Sequence, residues 1–341
     1  MRLMAILEQL PGVRRAWPGS DGSLVWEGID EDGLLRAGRI DSQGRVHRQP
    51  HGVDPAVPSP PAGLQATLVV HRLGRRAVRI WSDGVVKSVR PGRADALADA
   101  MEAFRTHATD ALKVPALIDH DHAHLFTRRA PGAELRRSGA EGVDGWRTLM
   151  EEWPLVFRST DDDRLPLHEG ADEARVLRHW LEQVRVHGLI DPHAHVETRI
   201  RRLGELLTRA GSRRVLAHRD LHDGQILWDG EKVWLIDLDT ACRAAPEVDL
   251  ANLRAHAEVS HLCGRSDARV HGAILDGLDD LATRLDLRSA DMDAYLEAAR
   301  LRIALVHAFR PSDASWLPAW VDHCLRHTGI RSWTHASTQG E

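Results

Sequence analysis

The sequence predicts an α+β protein: a strand-rich N-terminal portion, a helical C-terminal portion, and one short hairpin set among the helices. Three observations carry this. Up to about residue 130, short apolar runs alternate with turn signals such as Asp30-Glu31-Asp32-Gly33 and Asp83-Gly84. From Asp144 onward, apolar residues recur three and four apart, the spacing of one helix face. Within that helical half, the runs flanking Asp229-Gly230 read instead as two short strands of a hairpin, preceded by the short apolar run Val215-Leu216-Ala217.

The elements follow in order. Leu3 to Leu10 is a short amphipathic stretch. Strand-like runs Ser23–Ile29, Leu34–Ile40 and Gly44–Arg48 form a small β-meander, expected to sit on or extend the lobe that follows, and the Pro-rich segment Pro55–Pro61 closes it as a linker. Thr67–Leu73, Ala77–Trp81 and Val85–Val89 are three further strands, with Gly74-Arg75-Arg76 as the first turn. A helix is expected from Arg93 to about Leu112, then strands at Ala116–Asp119 and Ala123–Thr127. Helices are expected over Trp146–Arg158, Asp172–His187, Val196–Ala210, Val248–His261, Ala268–Arg284, Asp291–Phe309 and Trp316–His327, and the tail from Arg331 reads as loose. The domains implied are a meander over 1–60, a β-lobe over 61–134 and a helical lobe over 135–341.

Composition narrows the function classes. At 341 residues and 43% hydrophobic content, the chain is long enough for two lobes around a sizeable core. A formal net charge of −5 lacks the basic footprint of a nucleic-acid binder. No apolar run approaches the roughly 20 residues of a membrane span, and MRLMAILEQLPGVRR does not read as a signal peptide. Cys242, Cys263 and Cys324 are odd in number and scattered, so they read as free thiols in a reducing cytoplasm. Neither nucleic acid nor a membrane is expected as a partner.

The densest chemistry lies between Val215 and Leu253. His218-Arg219-Asp220-Leu221-His222-Asp223-Gly224-Gln225 is a polar loop ahead of the hairpin, and Asp237-Leu238-Asp239 closes the hairpin's second strand. Each strand thus delivers acidic residues to a loop beside the hairpin, where Asp220, Gln225 and Asp237 can converge. Carboxylates with an amide oxygen are hard ligands, suited to magnesium and to a substrate hydroxyl.

These residues resemble the catalytic core of the kinase-like phosphotransferases, the aminoglycoside phosphotransferase and choline kinase superfamily, whose pattern is His-x-Asp-x-x-x-x-Asn, a hairpin, and an aspartate ending an apolar strand. His218, Asp220 and Asp237 match, and Gln225 stands where Asn is usual, one methylene longer. Gln at that place leans towards maltokinase-like and glucosamine-kinase-like bacterial sugar kinases. The resemblance implies a two-lobed protein-kinase-like fold using ATP and Mg2+. It makes Asp220 the residue that orients the acceptor hydroxyl and takes its proton. Gln225 and Asp237 become metal ligands, with Asp239 as a further one or as a loop cap, and Asp249 a brace for the catalytic loop.

The nucleotide lobe is read the same way. Only three of the 45 basic residues are lysines, Lys87, Lys113 and Lys232, so Lys87 in the middle of Val85–Val89 draws notice. The resemblance makes it the phosphate-gripping strand lysine, with Glu102 of the following helix as its carboxylate partner and Asp95 and Asp99 as rivals. Gly74 is a turn glycine with phosphate covering as its functional alternative. The hinge that meets adenine through backbone falls at Phe126–Pro131.

Competing readings are few. His120-Asp121-His122-Ala123-His124 puts alternate histidines on one strand face, as in a metal cluster, although a polar hairpin tip has the same look. His218, Asp220 and His222 together suggest a metal-dependent hydrolase. Gln225 alone would suit a catalytically weak, nucleotide-binding pseudokinase. Ala245-Pro246-Glu247 resembles a protein-kinase triplet, but it begins eight positions after Asp237 (245 − 237 = 8), which leaves no room for an activation segment and favours a small-molecule acceptor. A sugar, amino sugar or aminoglycoside-like hydroxyl is expected, with Trp316, Trp320 and Trp333 as candidates to stack on a ring.

Overall fold

The computed structural model describes residues 3–157, 163–189, 195–210 and 213–326. The chain opens with α1 (Leu3–Gln9) and a meander of β1 (Val13–Pro18), β2 (Leu24–Ile29), β3 (Leu35–Ile40) and β4 (Val46–Arg48), paired in that order. The meander thus has one strand more than its turn signals suggest. β1 carries two arginines and a proline, so it lacks the alternating apolar pattern of a strand.

The second sheet starts with β5 (Thr67–Arg72), β6 (Arg76–Ile80) and β7 (Gly84–Val89), followed by α2 (Ala94–Thr106) and a two-residue strand, β8 (Leu112–Lys113). β9 (Leu117–His120) and β10 (His124–Arg128) complete it in the order β5-β6-β7-β10-β9, all antiparallel. Then come β11 (Ala133–Glu134), α3 (Val143–Val156), α4 (Gly170–Val186) and α5 (His195–Arg209). The segment after α5 supplies β12 (Val215–Ala217), β13 (Ile226–Trp228), β14 (Val233–Leu235) and β15 (Cys242–Ala244). The chain ends in α6 (Glu247–Leu262), α7 (Ala268–Arg284), α8 (Ser289–His307) and α9 (Leu317–Arg326). The β13–β14 hairpin is flanked by β11 on one edge and by β8, in parallel, on the other, so both ends of the region joining the lobes are stitched to it. Among the described residues no helix is long and apolar enough to cross a membrane, and all three cysteines are free thiols.

The N-terminal segment does more than extend the β-lobe. Leu3, Met4 and Leu7 of α1, with Ala16, Leu24, Trp26 and Ile40 of the meander, belong to the same core as α4, α5, α6, α8 and α9. The Ala16 amide donates to the Phe309 carbonyl (2.9 Å) and the Ser312 hydroxyl to the Arg14 carbonyl (3.0 Å). On the other side, Leu35 packs with Val57, Leu68 and Ala77 of the linker and second sheet. The meander therefore bridges both lobes. Leu7→Ala, at a fully buried site, is expected to cost about 2–5 kcal/mol in a urea titration that follows the helical lobe. A change no larger than that of an exposed substitution would make this segment a separable extension.

Candidate active site

Two unusual backbone conformations shape the loop and the end of the hairpin. Arg219 and Asp237 both adopt left-handed conformations, φ 68° and φ 60°, which side chains other than Gly, Asn and Asp rarely visit. The strain at Arg219 is held from several sides. Asp249, in the first turn of α6, accepts the amides of His218 (2.8 Å) and Arg219 (2.7 Å). Asn252, nearly one turn later, donates to the Arg219 carbonyl (2.8 Å), and Thr240 donates to the His218 carbonyl (2.9 Å). The His218 ring donates through Nε2 to the Ile236 carbonyl (3.0 Å) and lies edge-on to Phe104. Burial lifts the Asp249 carboxyl to about 6 in spite of its two amide donors. It is a brace inside the protein, as its place in the motif suggests.

The loop and hairpin then bring residues from distant parts of the chain together. The Lys87 ammonium donates to Asp237 (2.7 Å), 150 residues away, and to Asp239. Arg76 joins them, donating to Asp237 (3.1 Å) and to Asp239 (2.5 Å). Burial opposes charge on both sides of this cluster, but the opposite charges override it. Asp237 stays far below the usual carboxylate range because of Lys87 and Arg76, and Lys87 is pushed up by Asp237 and Asp239. The cluster faces a cavity of about 920 Å³ whose walls include Val70, Val85, Leu97, Leu125 and Leu235, apolar surface of the kind a flat heterocycle needs.

Asp220 sits apart from these cations, with its side chain 41% exposed. Gln225 Nε2 donates to one Asp220 oxygen (3.2 Å), and the Arg302 guanidinium of α8 lies 3.5 Å from the other. The Gln225 side-chain oxygen is buried and accepts no hydrogen bond among the described residues. A buried orphan acceptor needs a partner, and an amide oxygen with the Asp237 and Asp239 carboxylates makes a hard-donor set that fits magnesium.

Several expected roles are redistributed. Glu102 is not the partner of Lys87: it pairs with Arg105 (2.5 Å) on the exposed side of α2. Leu97 and Met101 take the cavity-facing stripe, and one further residue turns a helix by about 100°. Gly74 has the left-handed φ of 68° that a tight turn needs, but its amide donates to Asp54 (2.7 Å) and its carbonyl accepts from Arg90 (2.5 Å). That turn is tied back and does not line the cavity; its contribution is Arg76. Phe126 does not present a free backbone edge, because it pairs with Val86 on one side and Asp119 on the other. Strand alternation sends Leu125 and Thr127 to the cavity and the Phe126 ring against His124.

Arg76 and Arg302 were not singled out from sequence, since arginine carries nearly every cationic position in this chain. The His120–His124 run is a hairpin tip. His124 bonds to Asp121 (2.9 Å) and to the Ser59 carbonyl (3.1 Å), and His120 pairs with Asp95 (3.5 Å). Trp320 is fully buried and donates to the Arg300 carbonyl (3.2 Å), so it belongs to the core; Trp316 lies edge-on to His307, and Trp333 falls outside the described residues. Ala245-Pro246-Glu247 simply starts α6.

A hydrolase-type ligand set of His218, Asp220 and His222 is not assembled. His218 Nε2 is taken by Ile236, His222 Nδ1 accepts the Gly224 amide (3.0 Å), and the ligand atoms of the three residues do not come together among the described residues. The His222, Asp223 and His256 ligand atoms lie within 4.8 Å of one another. However, the two imidazoles are stacked, 4.6 Å apart at 26°, so their in-plane lone pairs do not meet at one point.

The fold is shared with a Plasmodium vivax ethanolamine kinase, at TM-score 0.54 and 9% identity over 76% of this chain and 82% of that one. An aminoglycoside phosphotransferase from Streptomyces rimosus is 22% identical over 70% of this chain and 92% of its own, at TM-score 0.49. A choline/ethanolamine kinase family protein from Mesorhizobium loti is 14% identical over 78% and 88%, also at 0.49. No curated protein matches the chain. The sequence pattern of the phosphotransferase enzyme family matches residues 66–290, a span that takes in Arg76, Lys87, the catalytic loop, the hairpin and the Asp249 brace, and the chain is accordingly a member of that family.

Proposed function

We propose that this chain transfers the γ-phosphate of ATP to a hydroxyl of a small sugar-like molecule. The observation that carries this reading is the meeting of Lys87 and Arg76 with Asp237 and Asp239 at the mouth of an apolar-walled cavity, with Asp220 set apart from them. Phosphoryl transfer asks for placement and charge stabilisation rather than for a covalent intermediate. Lys87 and Arg76 supply positive charge for the phosphates. Gln225 and Asp237, with Asp239, would hold magnesium, which when bound screens the phosphates and orients them for in-line transfer. Asp220, oriented by Gln225, takes up the proton of the acceptor hydroxyl and aims its oxygen. Between Asp237 and α6 only nine residues intervene, Leu238 to Pro246, and they include β15, which supports a small acceptor over a protein one.

A sugar, amino sugar and aminoglycoside panel, scored by magnesium-dependent ADP release and by phosphate gain in product mass, tests this reading. Lys87 gives the same assay an internal check. In a chain this rich in arginine, Lys87→Arg would be harmless if charge alone mattered. The Lys87 side chain is only 14% exposed between two carboxylates and Arg76, and a guanidinium is a broad planar fork where an ammonium is compact. Both Lys87→Arg and Lys87→Ala are expected to lose nucleotide affinity and turnover by about 10-fold or more. A fully active Lys87→Arg enzyme would remove Lys87 from phosphate binding.

A further inference from the structure

Asp220 stands beside a group of arginines and histidines. Arg302 lies beside its carboxylate, and around it gather Arg310, His222, His256 and His307. These five residues come from α8 and the turn after it, from α6 and from the loop ahead of the hairpin, and the other four all lie within electrostatic reach of His256. The acids nearby are already engaged. Asp313 accepts from His307 (2.7 Å), Asp223 accepts from Ser260 (2.5 Å), and Glu27 accepts from Arg15 (2.7 Å) and from the His71 amide (2.9 Å).

Arg310 is the member that makes no ion pair with a carboxylate within 4.0 Å among the described residues. Among the described residues its one side-chain hydrogen bond is Nη1 to His307 Nε2 (3.1 Å). That bond settles the tautomer of His307: Nδ1–H donates to Asp313 and Nε2 accepts from Arg310, so the ring is neutral. Burial agrees, taking His307 down to about 4 and His256 well below its ordinary value. Arg310 is thus a half-buried guanidinium resting on a neutral imidazole, its remaining donors uncommitted. Burial lowers its own pKa, and only Asp313, Asp220 and Glu27 at longer range act the other way. A desolvated guanidinium in that state gains most from an oxyanion that two of its N–H groups can reach together.

We propose that the acceptor carries an anionic group, a carboxylate or a phosphate, and that Arg310, backed by Arg302, binds it while Asp220 addresses the neighbouring hydroxyl. This rests on Asp220 marking the acceptor side of the cleft. The stacked His222 and His256 rings belong to the same group and bring ring nitrogens that can hydrogen-bond sugar hydroxyls. A polycationic acceptor would instead meet two arginines, and like charges in contact are costly.

The test is binding rather than turnover. The full chain, saturated with Mg–ADP so that the Lys87 and Arg76 site is filled, is titrated calorimetrically with glucose, glucosamine, gluconate and glucose 6-phosphate. The two anionic probes are expected to bind about tenfold or more tightly than the two others, and Arg310→Gln to weaken them by about 10- to 100-fold. Arg310→Lys should restore part of the affinity. The preferred anionic probe tells carboxylate from phosphate. Glucose or glucosamine binding as tightly as either anion, or an Arg310→Gln protein that binds the anions like wild type, overturns the proposal. Neither result touches phosphoryl transfer, which fails separately if magnesium-dependent ADP release is absent.

Discussion

Asp220→Asn is expected to lower turnover by about 10²–10⁴-fold while leaving the affinity for Mg–ATP close to that of wild type. The separation follows from the geometry. Asp220 stands outside the ion-pair cluster of Lys87, Arg76, Asp237 and Asp239, and its partners are Gln225 (3.2 Å) and Arg302 (3.5 Å). Asn keeps the shape and can still accept from Gln225 through its carbonyl oxygen, so the loop braced by Asp249 and Asn252 has no reason to move. What disappears is the negative charge that draws the hydroxyl proton and offsets Arg302. Initial rates at saturating acceptor, set beside a nucleotide titration, check both halves. Near-normal turnover would take the base role from Asp220, and a parallel collapse of nucleotide binding would show that the substitution disturbed the loop instead.

Asp237→Ala carries the second large effect. The carboxylate has two tasks: it is the acidic member of the donor set proposed for magnesium, and it balances Lys87 and Arg76 together with Asp239. Removing it leaves two partly buried cations facing one carboxylate, the situation in which a broken pair costs about 3–5 kcal/mol. On that scale magnesium-dependent nucleotide binding should weaken by about 10²–10³-fold. Ala also replaces a residue that tolerates the left-handed φ of 60°. Asp237→Asn serves as the second variant, since it keeps the backbone preference and the shape but not the charge. Loss of Mg–ATP binding in both variants, with folding intact in Asp237→Asn, is the expected pattern. Wild-type Mg–ATP binding in Asp237→Asn would move the metal away from the hairpin.

What could be read from the chain alone was whatever short-range spacing controls. Helix periodicity placed the α-helices to within a few residues. α2 is the main exception, ending at Thr106 where apolar periodicity suggested continuation to about Leu112; Leu112 and Lys113 are instead taken up as β8 beside the hairpin. The Asp220–Asp237 motif was legible as a pattern because Asp220, Gln225 and Asp237 lie on one loop and one hairpin, so the contact of Gln225 with Asp220 is nearly a local property. Lys87 was legible for a compositional reason, the scarcity of lysine in an arginine-rich chain.

The choice among equivalent residues belonged to the tertiary structure. Nothing in spacing tells Glu102 from Asp239 as the partner of Lys87: both are carboxylates, and only the packing of α2 turns the first to solvent and the hairpin brings the second within reach. Arg76, Arg302 and Arg310 were hidden among many arginines, because a side chain's charge is written in the sequence whereas its counter-charge is assigned only when distant elements meet. The N-terminal meander is the same case at larger scale. Its strands follow from local turns, but whether it lies beside one lobe or ties the two together depends on which apolar faces remain uncovered after the rest has folded, and burial of Leu7, Leu24 and Ile40 against the helical lobe decided that.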